Sequence, residues 1–164
     1  MKSAALWSAV FLLCLLLQST LGPQLAYHGV HADLVLIAVI SSSLLLGKER
    51  GALHGFCAGL LQDLLSGGFL GLNVLTKTLW GYVFGMAEQK VFKDHLFLPV
   101  MSTLFVTAGD YLLKAFVLVL LGQRFNLFVH MAYVFLPLLL YNLLFSLPVY
   151  KAVCRVGRWT KEWE

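Results

Sequence analysis

The sequence has 164 residues, of which 60% are hydrophobic and 12% charged, and its mean hydropathy is +0.83. Soluble domains average about 45–50% apolar and about 25% charged residues. One core of this size cannot hide the excess, because a small domain leaves much of its surface exposed. The composition therefore excludes an ordinary soluble domain and indicates one compact, all-α membrane domain.

The net charge of +4 does not indicate a nucleic-acid partner. The basic residues form no single patch and fall in the gaps between apolar runs, which is the pattern of membrane topology. Three cysteines, Cys14, Cys57 and Cys154, lie far apart without metal-ligand spacing. We therefore expect no metal site and no cofactor.

Six apolar runs follow one another, at 4–21, 34–47, 51–65, 69–87, 95–121 and 131–150. The first is longer than a signal-peptide core of about 7–15 residues and lacks a small-residue cleavage site, so we expect a retained transmembrane helix. Gly22-Pro23 is expected to break this helix. Asp33 stands where the second helix needs an N-cap. Pro99 falls in the first turn of the fifth run, and Pro137 is expected to kink the sixth.

The third run has 15 residues, whereas a perpendicular span needs about 20. It predicts either a short or tilted span or a re-entrant segment. Two small-xxx-small pairs, one in each of the third and fourth runs, predict two helices packed inside the bundle and turning at a glycine pair. The helix-packing glycines are Gly55, Gly59, Gly67, Gly68, Gly81 and Gly85.

Basic residues predict the topology. With the N-terminus in the cytoplasm, the outside loops hold only Arg124, and the inside regions hold nine basic residues: Lys2, Lys48, Arg50, Lys90, Lys93, Lys151, Arg155, Arg158 and Lys161. This excess predicts six spans with both termini cytoplasmic. Residues 1–150 form the predicted six-helix domain. Residues 151–164 form a basic tail with Trp159 and Trp163, either an interfacial anchor on anionic lipids or a frayed tail that only fixes topology.

Charged residues also lie within the apolar runs. At a rise of about 1.5 Å per residue, all of them fall toward the extracytoplasmic side. One interpretation is structural: Asp110 pairs with Lys114 at i,i+4, and Asp63 pairs with Lys77 or caps the turn at 66–68. The other is a polar cavity or partner site. The candidate partner- or ligand-binding residues are Asp33, Gln62, Asp63, Asn73, Lys77, Asp110 and Lys114.

Catalytic motifs are missing from the sequence. It contains no P-loop, no nucleophile elbow and no HExxH, and its five histidines are scattered. We therefore predict no catalytic residue and do not expect an enzyme.

Several stretches resemble the signature of the MreD family of rod shape-determining proteins. They are GLLQDLLSG at 59–67, Gly71-Leu72-Asn73, and Lys77-Thr78-Leu79 followed by Gly81-Tyr82. Upstream, Gln18-Ser19-Thr20 and Asp33-Leu34-Val35-Leu36 also fit. The resemblance is strong over 47–87, and after about residue 95 only hydropathy agrees. Ala32 departs from the family, which commonly has proline before this aspartate.

The resemblance implies a non-enzymatic component of the bacterial elongation machinery in the cytoplasmic (inner) membrane. Its implied partners are the bitopic protein MreC, the actin-like MreB, the glycosyltransferase RodA and a class B penicillin-binding protein. It also implies a fold distantly similar to the substrate-binding subunits of energy-coupling-factor transporters.

We hypothesise a scaffold and regulator that couples MreC and MreB to peptidoglycan synthesis. In it, the third and fourth helices, with Asp63, Asn73 and Lys77, hold the fold and present a site to MreC. The alternative hypothesis is a small-molecule-binding transporter subunit with an outward-facing polar cavity.

Overall fold

The computed structural model describes residues 2–67, 69–86, 97–122 and 131–160. Within these ranges the chain forms six α-helices and no β-strand. They are α1 (Lys2–Leu25), α2 (Leu34–Leu46), α3 (Lys48–Ser66), α4 (Leu72–Met86), α5 (Phe97–Leu120) and α6 (Leu136–Trp159). A π-helical turn, Met131–Phe135, leads into α6. The predicted all-α class is confirmed for the described part of the chain.

Three helical segments are long and apolar enough to cross a membrane, namely Ala5–Leu25, Pro99–Leu120 and Tyr133–Trp159. The other three helices are shorter or more polar. α2 is apolar throughout but has 13 residues, which span about 20 Å of a hydrocarbon core about 30 Å thick. The chain is therefore a helical membrane protein in which α2, α3 and α4 differ from the three long helices.

The expected helix break at Gly22-Pro23 is wrong, because α1 continues to Leu25 with Pro23 inside it. A proline removes one intrahelical hydrogen bond and crowds the carbonyl four residues earlier. Here Pro23 lies in the last turn, two residues before the helix ends. The loss of one hydrogen bond therefore does not stop the helix. Asp33 then caps α2, since its Oδ1 accepts a hydrogen bond of 3.0 Å from the backbone N–H of Leu36.

α2 is the central helix of the bundle. Val35, Ala38 and Val39 are fully buried, and they pack with residues of α1 and α6. Another face of α2, including Leu36 and Ile40, packs against Val106 of α5 and against side chains of α4. A helix that is apolar all round is stable only where neighbours cover it. The position of α2 therefore follows from its composition.

α3 and α4 form an antiparallel hairpin whose backbones touch. A Cβ atom at Gly59 would stand 2.6 Å from the carbonyl oxygen of Asn73, and one at Gly51 would stand 2.5 Å from that of Gly81. At the far end Gly85 lies against the backbone of Lys48. Only glycine permits this separation. After α3 the chain turns at Gly67, which is left-handed with φ of 63°; Gly68 lies outside the described residues.

The expectation that α3 and α4 lie inside the bundle holds only for their glycine faces. Their opposite faces carry large exposed apolar side chains. On α3 these are Phe56, Leu60 and Leu64, and on α4 they are Leu75, Leu79 and Tyr82. We call these six residues the α3–α4 face. Because the glycines are used to join the two helices to each other, this face remains free to meet lipid or another protein.

The two ends of the bundle differ in charge. α6 continues past Tyr150 as one helix to Trp159, and Gly157 lies near Leu45 at the end of α2. This contact brings the last turns of α6 close to the start of α3. We call the resulting end the basic end; its residues are Lys48, Arg50, Lys151, Arg155 and Arg158. The charged loop at 88–94, Arg124 and residues 161–164 lie outside the described residues.

We predict that Gly59→Ala destabilises the protein by about 1–3 kcal/mol, the usual cost of overpacking, because its new methyl group would meet the backbone of α4. The control is Gly157→Ala, where the added Cβ would lie 3.8 Å from the nearest heavy atom, an ordinary contact. The measurement is unfolding of both variants in detergent. Equal stability of the two variants would contradict the close packing of α3 on α4.

Candidate functional site: a buried polar network

Asp63, near the end of α3, caps the start of α4. Its Oδ2 accepts hydrogen bonds from the backbone N–H groups of Gly71 (2.9 Å) and Val74 (3.1 Å). Its Oδ1 accepts from the backbone N–H of Asn73 (3.2 Å) and from the Asn73 side-chain amide (2.8 Å). The first turn of a helix has free N–H groups and the positive end of the helix dipole. A buried carboxylate is therefore well satisfied here.

The proposed pair between Asp63 and Lys77 is wrong. Asn73 lies between them, donating to Asp63 from its amide nitrogen and accepting a 3.2 Å hydrogen bond from Lys77 Nζ through its oxygen. The Asp63 carboxylate binds backbone N–H groups of residues 71–74; the alternative cap on the turn at 66–68 involves Gly68, which lies outside the described residues. Asn73 is one helical turn before Lys77, so its amide reaches both groups.

Lys77 forms its ion pair with Asp33. Its Nζ lies 2.8 Å from Asp33 Oδ2, and the lysine side chain has no exposure to solvent. The two residues are separated by 44 positions in the chain, and the contact joins the middle of α4 to the start of α2. An uncompensated ammonium at such depth would be strongly unfavourable. The pair therefore fixes the position of α4 against the central helix.

A second lysine approaches the same aspartate from α5. Lys114 Nζ lies 2.8 Å from Asp110, the expected i,i+4 partner, and 3.8 Å from Asp33 Oδ2. The side chain of Lys114 is 24% exposed, so this pair is less enclosed than that of Lys77. Asp110 is buried, and its Oδ1 finds no hydrogen-bond partner within the described ranges.

Three polar residues that were not among the predicted candidates complete the network. Asn142 of α6 accepts a 2.8 Å hydrogen bond from the backbone N–H of Asp33 and donates a 3.0 Å bond to Thr107 of α5. Gln18 of α1 accepts from the backbone N–H of Val35 at 3.4 Å. The sequence signal for this residue was that Asn142 is a single asparagine within the apolar sixth run. Interhelical hydrogen bonds of this kind are common in membrane bundles.

The predicted charges therefore converge at one level of the bundle. Asp33, Lys77, Asp110 and Lys114 form one connected cluster, and Asp63 joins it through Asn73. With Asn142 of α6, the network contacts five of the six helices of the described structure, and Gln18 of α1 binds the backbone of α2 beside it. Asp33 lies at the opposite end of α2 from its contact with α6 near Gly157, so the network is remote from the basic end. The charge balance is three carboxylates against two ammonium groups, with Asp63 compensated by the N-terminus of α4.

A cavity of about 290 Å³ adjoins this network. Gln62, Asp110 and Lys114 line it, together with His31 and Tyr111. The Oε1 of Gln62, like the Oδ1 of Asp110, finds no partner within the described ranges. Among the described residues, Gln62, Asp110 and Lys114 thus border open space here rather than only one another.

A serine–histidine contact lies elsewhere in the bundle. His54 Nδ1 lies 3.1 Å from Ser42 Oγ, and the same hydroxyl donates to the carbonyl of Val39 at 2.9 Å. The buried Ser42 hydroxyl thus contacts both the backbone of its own helix and the imidazole. Within the described ranges no group of three or more His, Cys, Asp or Glu side chains is placed to hold a metal.

We predict that Lys77→Met destabilises the protein by about 3–5 kcal/mol, because it leaves Asp33 without its closest buried partner. A double-mutant cycle with Asp33→Asn should give a larger coupling energy than a cycle of Lys77→Met with Asp63→Asn. The measurement is the free energy of unfolding of each single and double variant in detergent. A larger coupling between Asp63 and Lys77 would contradict the assigned pairing.

Comparison with known proteins identifies the family. The model of the family described as rod shape-determining protein MreD matches residues 2–156, nearly the whole chain. No curated protein and no solved structure matches the chain, so the resemblance to transporter subunits gains no support from a solved fold. The family match extends well beyond residues 47–87, where the sequence resemblance was strongest. The chain belongs to the MreD family of rod shape-determining proteins.

Proposed function

We propose that this protein is a non-enzymatic, multi-pass scaffold of the bacterial inner membrane that helps couple MreC and MreB to peptidoglycan synthesis during elongation. RodA and a class B penicillin-binding protein would be direct or indirect partners. Family membership implies a role in rod shape determination. The observation that carries the finer proposal is that the buried charges bind one another across the helices, as a rigid scaffold requires.

The internal contacts of Asp63, Asn73 and Lys77 support this proposal. These three side chains were expected both to hold the fold and to present a site to MreC. Lys77 has no exposed surface, and Asp63 is almost fully buried. A partner cannot reach Lys77 or Asp63 without opening the bundle. We therefore assign them the structural part of the role only.

We propose that MreC contacts the α3–α4 face instead. Its members on α4, Leu75, Leu79 and Tyr82, are spaced by four and three residues and share one side of the helix. Phe56 and Leu60 extend the face on α3. Two helices joined through glycines present their outer side chains next to each other, which gives a transmembrane helix of a bitopic partner a broad apolar surface.

We predict that a photo-cross-linking amino acid at Leu60 or Leu79 captures MreC in the native membrane. The matched control is Leu112 on α5, which is also apolar and exposed but lies outside this face. MreC should be captured several-fold more from the first two positions than from the third. Equal yields from all three, or a higher yield from Leu112, would contradict the proposed contact.

A second candidate function rests on the cavity beside Lys114. Pockets that bind small ligands generally measure about 300–1,000 Å³ and carry a few convergent polar groups, and the cavity lies at the lower limit of that range. On this hypothesis the chain binds a small polar molecule, as a transporter subunit would, with the cavity facing outward. Lys114 and Asp110 would contact the ligand.

We predict for this second function that one member of a panel of small zwitterionic and hydroxyl-rich molecules raises the melting temperature of the purified protein. A ligand at 100 times its Kd adds about 2.7 kcal/mol of stability. Lys114→Gln should abolish the shift, whereas Lys151→Gln, an exposed change at the basic end, should preserve it. Absence of any shift across the panel, or an unchanged shift in Lys114→Gln, would argue against a ligand site.

A further inference from the structure

A second cavity, of about 460 Å³, lies between α1 and α6 and is almost entirely apolar. Its floor includes Ala32 and Leu34, at the start of α2. On α1 the lining runs from Val10 to Leu25, and on α6 from Tyr141 to Val156. Both segments are about 23 Å long at the usual helical rise. We call this cavity the α1–α6 groove.

The two helices are joined at one end of the groove. The hydroxyl of Tyr141 donates a 2.7 Å hydrogen bond to the carbonyl oxygen of Leu25. From Tyr141 the lining follows a single side of α6, through Phe145, Pro148 and Ala152. The spacings of four, three and four residues repeat the helical period. The next member of this stripe, three residues on, is Arg155.

Arg155 is the one lysine or arginine among the described residues that line the groove, and it lies toward the basic end. Lys151 and Arg158 stand four residues before it and three after it, and all three are exposed. No carboxylate in the described part of the chain forms an ion pair with any of them. Within the described residues, the groove therefore combines a long apolar wall with a cationic end.

The lining of the groove favours a lipid as its occupant, because a long apolar wall ends at the basic side chain of Arg155. An apolar wall suits a hydrocarbon chain, and a guanidinium suits a phosphate head group. One leaflet of the bilayer core is about 15 Å deep, so a lipid chain that starts at the level of Arg155 ends within the groove.

We propose that the α1–α6 groove binds one acyl chain of an anionic phospholipid, whose phosphate is held by Arg155 with Lys151 and Arg158 beside it. An arginine guanidinium suits this role because it donates two parallel hydrogen bonds to phosphate oxygens. The apolar wall supplies chain binding, and the cationic end selects a negative head group. This site is separate from the α3–α4 face, and its lining shares Gln18 and His31 with that of the polar cavity.

The test uses the whole purified protein in zwitterionic detergent, titrated with phosphatidylglycerol or phosphatidylcholine while its melting temperature is measured. Phosphatidylglycerol should stabilise the wild type at lower concentration than phosphatidylcholine. Arg155→Gln should weaken the apparent affinity for phosphatidylglycerol about fivefold, as expected for losing one basic contact with an anionic head group. The control, Lys48→Gln, removes an exposed charge outside the groove and should change nothing. Equal weakening in the two variants would overturn the proposal.

A second pair of variants tests the acyl chain separately. Ala152→Phe places a ring inside the groove and should abolish retention of lipid in native mass spectrometry, where the wild type should keep one phosphatidylglycerol per chain. Leu144→Phe, on an exposed side of α6 outside the groove lining, should keep it. Equal lipid retention by both variants would refute the groove. Retention of a second polypeptide that only Ala152→Phe loses would assign the groove to a protein helix and refute the lipid.

Discussion

The complete burial of Lys77 is the constraint on which the rest of the structure depends. An ammonium group without solvent contact must have a carboxylate and further hydrogen-bond acceptors near it. Asp33 provides the charge at 2.8 Å, and Asn73 provides an oxygen at 3.2 Å. To bring these groups together, the start of α2 must meet the middle of α4. Lys114 of α5 approaches the same carboxylate, and Asn142 of α6 accepts from the backbone N–H of Asp33, so this one residue connects four helices.

The glycine hairpin makes that arrangement possible. Because α3 and α4 approach to backbone contact, Asp63 on α3 can reach the first turn of α4. Its hydrogen bonds hold that turn in place, one helical turn before Lys77. The same close contact turns the large apolar side chains of both helices away from the bundle. The internal polar network and the external α3–α4 face thus both result from the close packing of α3 on α4. This arrangement agrees with a scaffold that is rigid inside and binds partners at its surface.

Much of this could be predicted from the sequence. Six apolar runs correspond to six helices, and the intramembrane charges meet at one level because rise per residue fixes depth along a helix. Pairing between distant helices could not be predicted. Depth alone did not distinguish Asp33 from Asp63 as the partner of Lys77, since both aspartates lie near the same end of the helix bundle. The end of α1 was also predicted too early, at Gly22-Pro23. Pro23 lies in the last turn of the helix, where the loss of one hydrogen bond does not end it. Asn142 was not predicted as a member of the network, because its hydrogen-bond partners Asp33 and Thr107 lie far from it in the sequence.

The proposed role of the protein is that of a scaffold of the elongation machinery. The most direct test is to isolate the tagged protein from its native membrane in mild detergent and to identify the accompanying proteins by mass spectrometry. We predict an MreC-like bitopic protein in amounts comparable to the tagged chain. Recovery of a pair of ATPases with a coupling membrane subunit, and no MreC-like protein, would contradict the scaffold and assign the chain to a transporter.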